Sequence, residues 1–194
     1  MIKLHLGCGK KILPGFINID ILPTPGLGVR ADLRHLPLAS ETADRIYSCA
    51  NIEHFGRKEW ISVLREWSRV LKPGGILQIS TMDFEACCEE YAQNKNLPQL
   101  LGLLIGGQKD KYDWHGMIFD FETLRRGLEE AGFENPRRYD WKKSEVGLLG
   151  IDDFSQAYLP HMQKVTGRLM MLNLEAKKAV RQGVSDKGLS NSNR

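Results

Sequence analysis

The stretch Leu4–Asp20, LHLGCGKKILPGFINID, decides the fold. An apolar strand candidate, Ile2 to Leu6, breaks at Gly7-Cys8-Gly9, and a second strand candidate, Phe16 to Ile21, carries an acid, Asp20, at its end. Glycines let a ligand approach bare backbone and permit a turn at positive φ. A carboxylate at the end of the next strand can accept hydrogen bonds from both hydroxyls of a diol such as ribose. The link between the two strands is short: ten residues separate Gly9 from Asp20, and they include Pro14 and Gly15. A helix of six residues would advance roughly 9 Å, whereas the chain must return about 17 Å to start a parallel strand of five residues. The spacing therefore predicts an extended loop or a single turn over Lys10 to Gly15, where parallel crossovers usually take about a dozen residues or more.

Working outward, strands and helices alternate. Arg45 to Cys49 is a third strand candidate, and from Arg57 to Leu71 the residues Trp60, Val63, Leu64, Trp67, Val70 and Leu71 recur at helical spacing until Lys72-Pro73-Gly74-Gly75 stops them. Ile76 to Ser80 reads as a buried strand and Phe84 to about Asn94 as a helix. An irregular apolar stretch runs on through Leu104, followed by a polar loop from Gly106 to Asp113. Asp120 reads as the N-cap of a helix over Phe121 to Ala131 that Gly132 ends. Arg137 to Trp141 and Arg168 to Ala176 are the remaining strand candidates. This alternation predicts an α/β fold, a single doubly wound, Rossmann-like, mostly parallel sheet of six or seven strands with helices on both faces. The expected domain covers residues 1–181, and residues 182–194, rich in Gly, Ser, Asn and charge, are expected to form a disordered tail.

Composition bounds the function. The 194 residues are 42% hydrophobic and 26% charged, with a formal charge of +3, so the basic residues lie among nearly as many acids and no nucleic-acid partner is expected. Cys8, Cys49, Cys87 and Cys88 show no CxxC spacing, which favours reduced thiols and gives no metal site. The amino terminus has no secretory pattern and no apolar run reaches about 18 residues, so a cytoplasmic protein without membrane insertion is expected. The glycine turn is not a dinucleotide loop, because the third glycine of GxGxxG would fall on Ile12. It is not a P-loop either, since Gly-Lys-Ser and Gly-Lys-Thr are absent.

The segments LHLGCG, INID, ADLRHLPLASETADRIYSCANIEHF, VLREWSRVLKPGGILQIS and FDFETLRRGLEEAGF, in this order and spacing, resemble the class I S-adenosylmethionine-dependent methyltransferases with a type 11-like domain, apart from the shortened first crossover. The resemblance covers residues 1 to about 140. It implies S-adenosylmethionine as cofactor. The implied site has Gly7, Cys8 and Gly9 at the methionine part, Asp20 at the ribose, Asp32 and Leu33 flanking the adenine, and Asn51 beside the sulfonium.

The acceptor side is expected in GGQKDKYDWHGMIFD, which follows the fifth strand, where relatives form a substrate lid. If the acceptor is a hydroxyl its proton must leave, and His115 is the candidate catalytic base, with Asp113 or Asp120 to orient it. Glu53-His54 follows a strand end and suits either a pocket or a helix start. These features imply a small-molecule methyltransferase, its acceptor a sugar, a glycan precursor or a lipid-linked intermediate. The alternative is a cofactor-binding or scaffold protein that keeps the fold without turnover.

Overall fold

The computed structural model describes residues 1–180, so the expected tail lies outside the described residues. Seven strands form one sheet: β1 (Lys3–Leu6), β2 (Ile17–Asp20), β3 (Val29–Arg30), β4 (Ala43–Cys49), β5 (Leu71–Met82), β6 (Phe133–Arg138) and, last in the sheet, β9 (Met171–Lys178). Their order is β3-β2-β1-β4-β5-β9-β6, and only β9 runs against its neighbours. The sequence order reverses between β1 and β4, which places a crevice beyond the carboxyl ends of those strands.

No helix joins β1 to β2. The two strands lie side by side in parallel, Leu4 opposite Ile17 and Leu6 opposite Ile19. Gly7 and Cys8 both donate backbone hydrogen bonds to Ile19 O, at 2.8 and 3.1 Å, and Lys11 N closes a turn on Cys8 O at 2.8 Å. The rest of the loop is held by one side chain. Asn18 Oδ1 accepts from Leu13 N and meets His5 Nδ1, both at 2.9 Å, while Asn18 Nδ2 donates to Leu13 O and Phe16 O at 3.1 and 3.2 Å. Asn18 thus supplies locally the hydrogen bonding that a crossover helix would supply along its own backbone.

The two long amphipathic helices, α1 (Trp60–Val70) and α4 (Phe121–Glu130), lie on one face of the sheet against Leu4, Leu6, Ile46, Leu77, Ile79 and Leu174. Trp67 is fully buried there and donates Nε1–H to Leu33 O at 3.2 Å, as a buried indole must find an acceptor. Gly127 sits where a Cβ would come within 1.9 Å of the Trp60 ring, so α4 can approach α1 this closely only with glycine there. Asp120 caps α4, accepting from Thr123 N at 2.7 Å.

The opposite face is polar. His5, Asn18, Tyr47, Ser80 and Asn173 are buried on it, at positions that alternate with the apolar residues of the first face. It is covered by the first crossover and by a strap, residues 139–170, between β6 and β9. The strap carries the one-turn helix α5 (Glu145–Leu148), two 3-10 turns and the short pair β7 (Tyr158–Leu159) with β8 (Arg168–Leu169). It satisfies the polar face: Tyr47 Oη donates to Asp153 Oδ2 at 2.5 Å, Tyr139 and Ser80 hydroxyls meet at 3.0 Å, and Asn173 Nδ2 donates to Ser155 O at 3.0 Å. Leu13, Phe16, Tyr47 and Val146 form a small apolar cluster beside these bonds.

Three local expectations need correction. The stretch expected to be irregular contains a helix, α3 (Leu97–Ile105), after α2 (Phe84–Asn94). Its run of leucines is strongly helix-forming and Pro98 sits in the first turn where proline is tolerated, yet it has no charged residue to mark a solvent face. The strand expected over Arg137 to Trp141 begins earlier, because Gly132 ends α4 and the buried Phe133 enters the sheet at once. The strand expected over Arg168 to Ala176 divides at Met170, whose backbone turns to bond Ala157 O and Asp83 N instead of the sheet.

Candidate functional site

The crevice beyond β1, β2 and β4 is a cleft of about 800 Å³. Gly7, Cys8, Gly9, Asp20, Asp32, Leu33 and Asn51 all line it, and so does His115. Asp20 is buried, and its carboxylate ties the glycine turn to the strand end: Oδ2 accepts from Gly9 N at 2.7 Å and Oδ1 from Leu22 N at 2.8 Å. Each oxygen retains a lone pair for a further donor.

The two glycines do different work. A Cβ at Gly7 would fall 1.8 Å from Asn51 Oδ1, whereas one at Gly9 would meet nothing within 4 Å. Gly7, at φ +65°, makes room for Asn51, whose amide donates to Leu6 O, Gly7 O and Cys49 O at 3.1, 3.1 and 2.7 Å. Gly9, at φ +50°, leaves open space at the cleft. Asp32 is half-exposed, accepting from Arg34 N at 2.9 Å and pairing with the Arg34 guanidinium at 3.2 Å. Leu33 belongs to the core and reaches the cleft at its margin. Cys8 is buried, and burial together with Asp20 pushes its thiol up to about 11, so it is a packed thiol, not a nucleophile.

A second cavity, of about 530 Å³, adjoins the cleft and has Met82, Leu103, Leu159, Met162, Met170 and Met171 in its walls. His54, Asp113, His115, Asp153 and Phe154 line both spaces and so mark the boundary between them. His54 and His115 meet edge to face, ring centroids 5.0 Å apart. His115 Nδ1 lies 2.9 Å from Leu103 O and His54 Nδ1 lies 3.0 Å from Trp114 O. In the neutral form each Nδ1–H donates to its carbonyl, leaving Nε2 as an acceptor. Burial, then the neighbouring His54, holds the pKa of His115 below the ordinary histidine value.

Neither carboxylate expected to orient His115 does so. Asp113 accepts from Gly107 N and Lys109 N, both at 3.3 Å, within its own loop, and Asp120 is occupied as the α4 cap. The carbonyl of Leu103 takes that part. Glu53 is buried and anchors the loop after α3: its backbone oxygen accepts from Gly116 N and Met117 N at 2.8 and 3.2 Å, and its carboxylate accepts from Thr81 Oγ1 at 2.9 Å. Burial raises the Glu53 pKa. Asp153 and Phe154 of the strap were not foreseen, because the partner that fixes Asp153, Tyr47, is 106 residues away. Among the described residues no group of His, Cys, Asp or Glu is arranged to hold a metal.

Comparison with known proteins gives methyltransferases. A family profile described as a methyltransferase domain matches residues 16–79, beginning where the first crossover ends. A demethylmenaquinone methyltransferase of Staphylococcus saprophyticus is 29% identical over 143 residues, 67% of this chain and 55% of that protein. The ubiquinone/menaquinone biosynthesis C-methyltransferase UbiE of Klebsiella pneumoniae is 32% identical over 128 residues, 62% of this chain and 50% of that protein. The chain thus spans about half the length of these curated relatives. Among solved structures, a Thermotoga maritima SAM-dependent methyltransferase, described as a possible histamine N-methyltransferase, superposes with a TM-score of 0.54 at 18% identity, covering 91% of this chain and 82% of that one. The fold is the one these methyltransferase structures share, and the sequence similarity to a methyltransferase domain lies over residues 16–79. A second methyltransferase of this fold, the Burkholderia thailandensis 1,6-didemethyltoxoflavin-N1-methyltransferase, was solved with 1,6-didemethyltoxoflavin and S-adenosylhomocysteine bound. It superposes with a TM-score of 0.57 at 13% identity over 92% of this chain and 71% of its own.

Proposed function

We propose that this protein is an S-adenosylmethionine-dependent methyltransferase acting on a small molecule with an apolar body. The observation that carries the reading is Asp20, buried at the end of β2, bonded to Gly9 N and still holding acceptor capacity in a cleft that opens onto a second, methionine-lined cavity. The residues fit the cofactor. Gly9 leaves backbone accessible, Asp20 suits the ribose diol, Asp32 and Leu33 stand at the adenine end, and Asn51 lies at the boundary beside Ala50. When bound, S-adenosylmethionine supplies an electrophilic methyl group. The chain's own contribution is to align acceptor and methyl across the boundary and to exclude water there, and positioning of this kind can supply about 7–11 kcal/mol of a barrier. His115, neutral and fixed through Nδ1, presents Nε2 as a base for an acceptor that must lose a proton, with His54 beside it.

Of the acceptors suggested by the sequence, the methionine and leucine walls favour a lipid-linked molecule over a bare sugar, since they suit an apolar body while Gln99, Lys109 and Tyr158 in the same lining can meet a polar part. The names of the relatives, which concern quinones, are compatible with the same preference. The test is to incubate the protein with methyl-tritiated S-adenosylmethionine and a small-molecule extract, then partition the products. Label entering the organic phase, absent with Asp20→Ala, is the expected result. Label confined to the aqueous phase would overturn the apolar acceptor, and no transfer to either phase would overturn the enzymatic reading in favour of a scaffold.

A further inference from the structure

Helix α3, LPQLLGLLI, has no charged side chain, and of its nine residues only Leu100 is buried. Leu97, Leu101 and Ile105, each four residues from the next, form an exposed stripe at 46%, 41% and 43% accessibility. Trp114, 55% exposed, continues the stripe, since the backbone of the following residue, His115, bonds to Ile105 O. Exposed apolar residues scattered singly need no explanation, but a continuous row along one helix does.

Three lysines surround the row. Lys95 stands before the helix and Lys109 and Lys111 follow it, and none of the three forms an ion pair among the described residues. The acids of neighbouring α2 are occupied: Glu85 pairs with Arg138, and Glu89 and Glu90 pair with Arg168. Asp113 is turned into its loop, accepting from Gly107 N and Lys109 N, while Asp110 is exposed between Lys109 and Lys111 and accepts from Tyr112 N, so the exposed charge beside the row remains net positive. Tyr91 and Tyr112, exposed at 43% and 38%, stand beside Lys95 and Lys111.

We propose that α3 and the lid dock this protein peripherally on an anionic lipid surface, the leucine stripe and Trp114 entering the headgroup boundary and the three lysines facing lipid phosphates. An apolar stripe flanked by lysines and interfacial aromatic rings is the arrangement that binds in the plane of a bilayer. A nine-residue helix is about 13 Å long and lies on such a surface without crossing it. A second copy fits less well, because a two-fold interface through the stripe would bring lysine against lysine. Docking there also has a functional consequence. Gln99, Gly102 and Leu103 of the same helix, with Lys109 of the lid, line the methionine-walled cavity, so the cavity would open toward the bilayer.

The experiment is co-sedimentation of the full chain with vesicles of phosphatidylcholine alone or with phosphatidylglycerol added. Binding to the anionic vesicles is expected, with a loss of about tenfold or more for Leu101→Gln and a similar loss for the pair Lys109→Gln and Lys111→Gln. Both sets of positions are exposed, so the thermal midpoint should be unchanged and the loss is not misfolding. Equal sedimentation of the variants and the parent, or no sedimentation with either vesicle, would overturn the proposal. Self-association in analytical ultracentrifugation that Leu101→Gln abolishes, without vesicle binding, would assign the stripe to a second copy instead.

Discussion

Gly7 and Gly9 look equivalent in the sequence and differ in the structure. At Gly7 the constraint is internal: alanine would displace Asn51 and its three hydrogen bonds in addition to straining a positive φ, an expected loss of about 2–4 kcal/mol in stability. Gly9→Ala should cost only about 1 kcal/mol, the penalty of the left-handed conformation, because its Cβ has open space. Comparing urea midpoints of the two variants checks this, and equal losses would refute the division of labour. Histidine ionisation supplies a second expectation. Burial is the main cause that holds both His5 and His115 below the ordinary value of about 6.5. With folded pKa values depressed, the unfolded chain binds the extra protons. Stability contributed by these neutral rings is therefore full above pH 6.5 and falls as pH drops from there toward the folded values. Urea melts between pH 7.5 and 5 should show the decline, and a smaller one in His115→Gln. In catalysis the same depression moves the rising limb of activity to lower pH than an ordinary histidine gives. His115→Ala should lower turnover by about 10²- to 10⁴-fold with cofactor affinity within roughly twofold, and remove that limb.

At the scale of elements, the missing crossover helix is explained by Asn18, one residue that closes the loop through Leu13 and Phe16 and meets His5. Asn18→Ala leaves Leu13 N and O without these partners in a buried place and should destabilise the fold by about 2–4 kcal/mol, with affinity for S-adenosylmethionine falling as the glycine turn loosens. A urea melt together with a binding titration reads both. The geometry of this loop was legible in the sequence because it is local: ten residues, a proline and a glycine limit what the chain can reach. The lone asparagine that holds it was not legible, since polar residues in a strand have many uses. Helix α3 was missed for a different reason. Its leucines carry helix propensity, but no charged residue interrupts them to mark a solvent face, and a short apolar run without one does not distinguish helix from buried strand or loop.

Across the whole molecule, the sheet order and the cofactor edge follow from strand and helix alternation, which short windows of sequence record. Asp20, Asn51 and the glycine turn could be placed at one edge because each ends a strand. The strap could not be foreseen. Its residues Asp153 and Phe154 reach the boundary of the two cavities only through contacts with the polar face of the sheet, Tyr47 above all, and separations of that length leave no local pattern. The same holds for the tie between His115 and Leu103 O, which depends on where α3 lies. The architecture that results covers one face with two long helices and the other with a loop and a strap, and the central claim is that this arrangement still presents a working cofactor site. Isothermal titration of the intact protein with S-adenosylmethionine and S-adenosylhomocysteine tests it most directly. The account predicts one site for each, with affinity reduced by about 10- to 150-fold in folded Asp20→Ala, the equivalent of losing one or two charge-assisted hydrogen bonds. Absence of binding by the parent, or unchanged affinity in the folded variant, would contradict it.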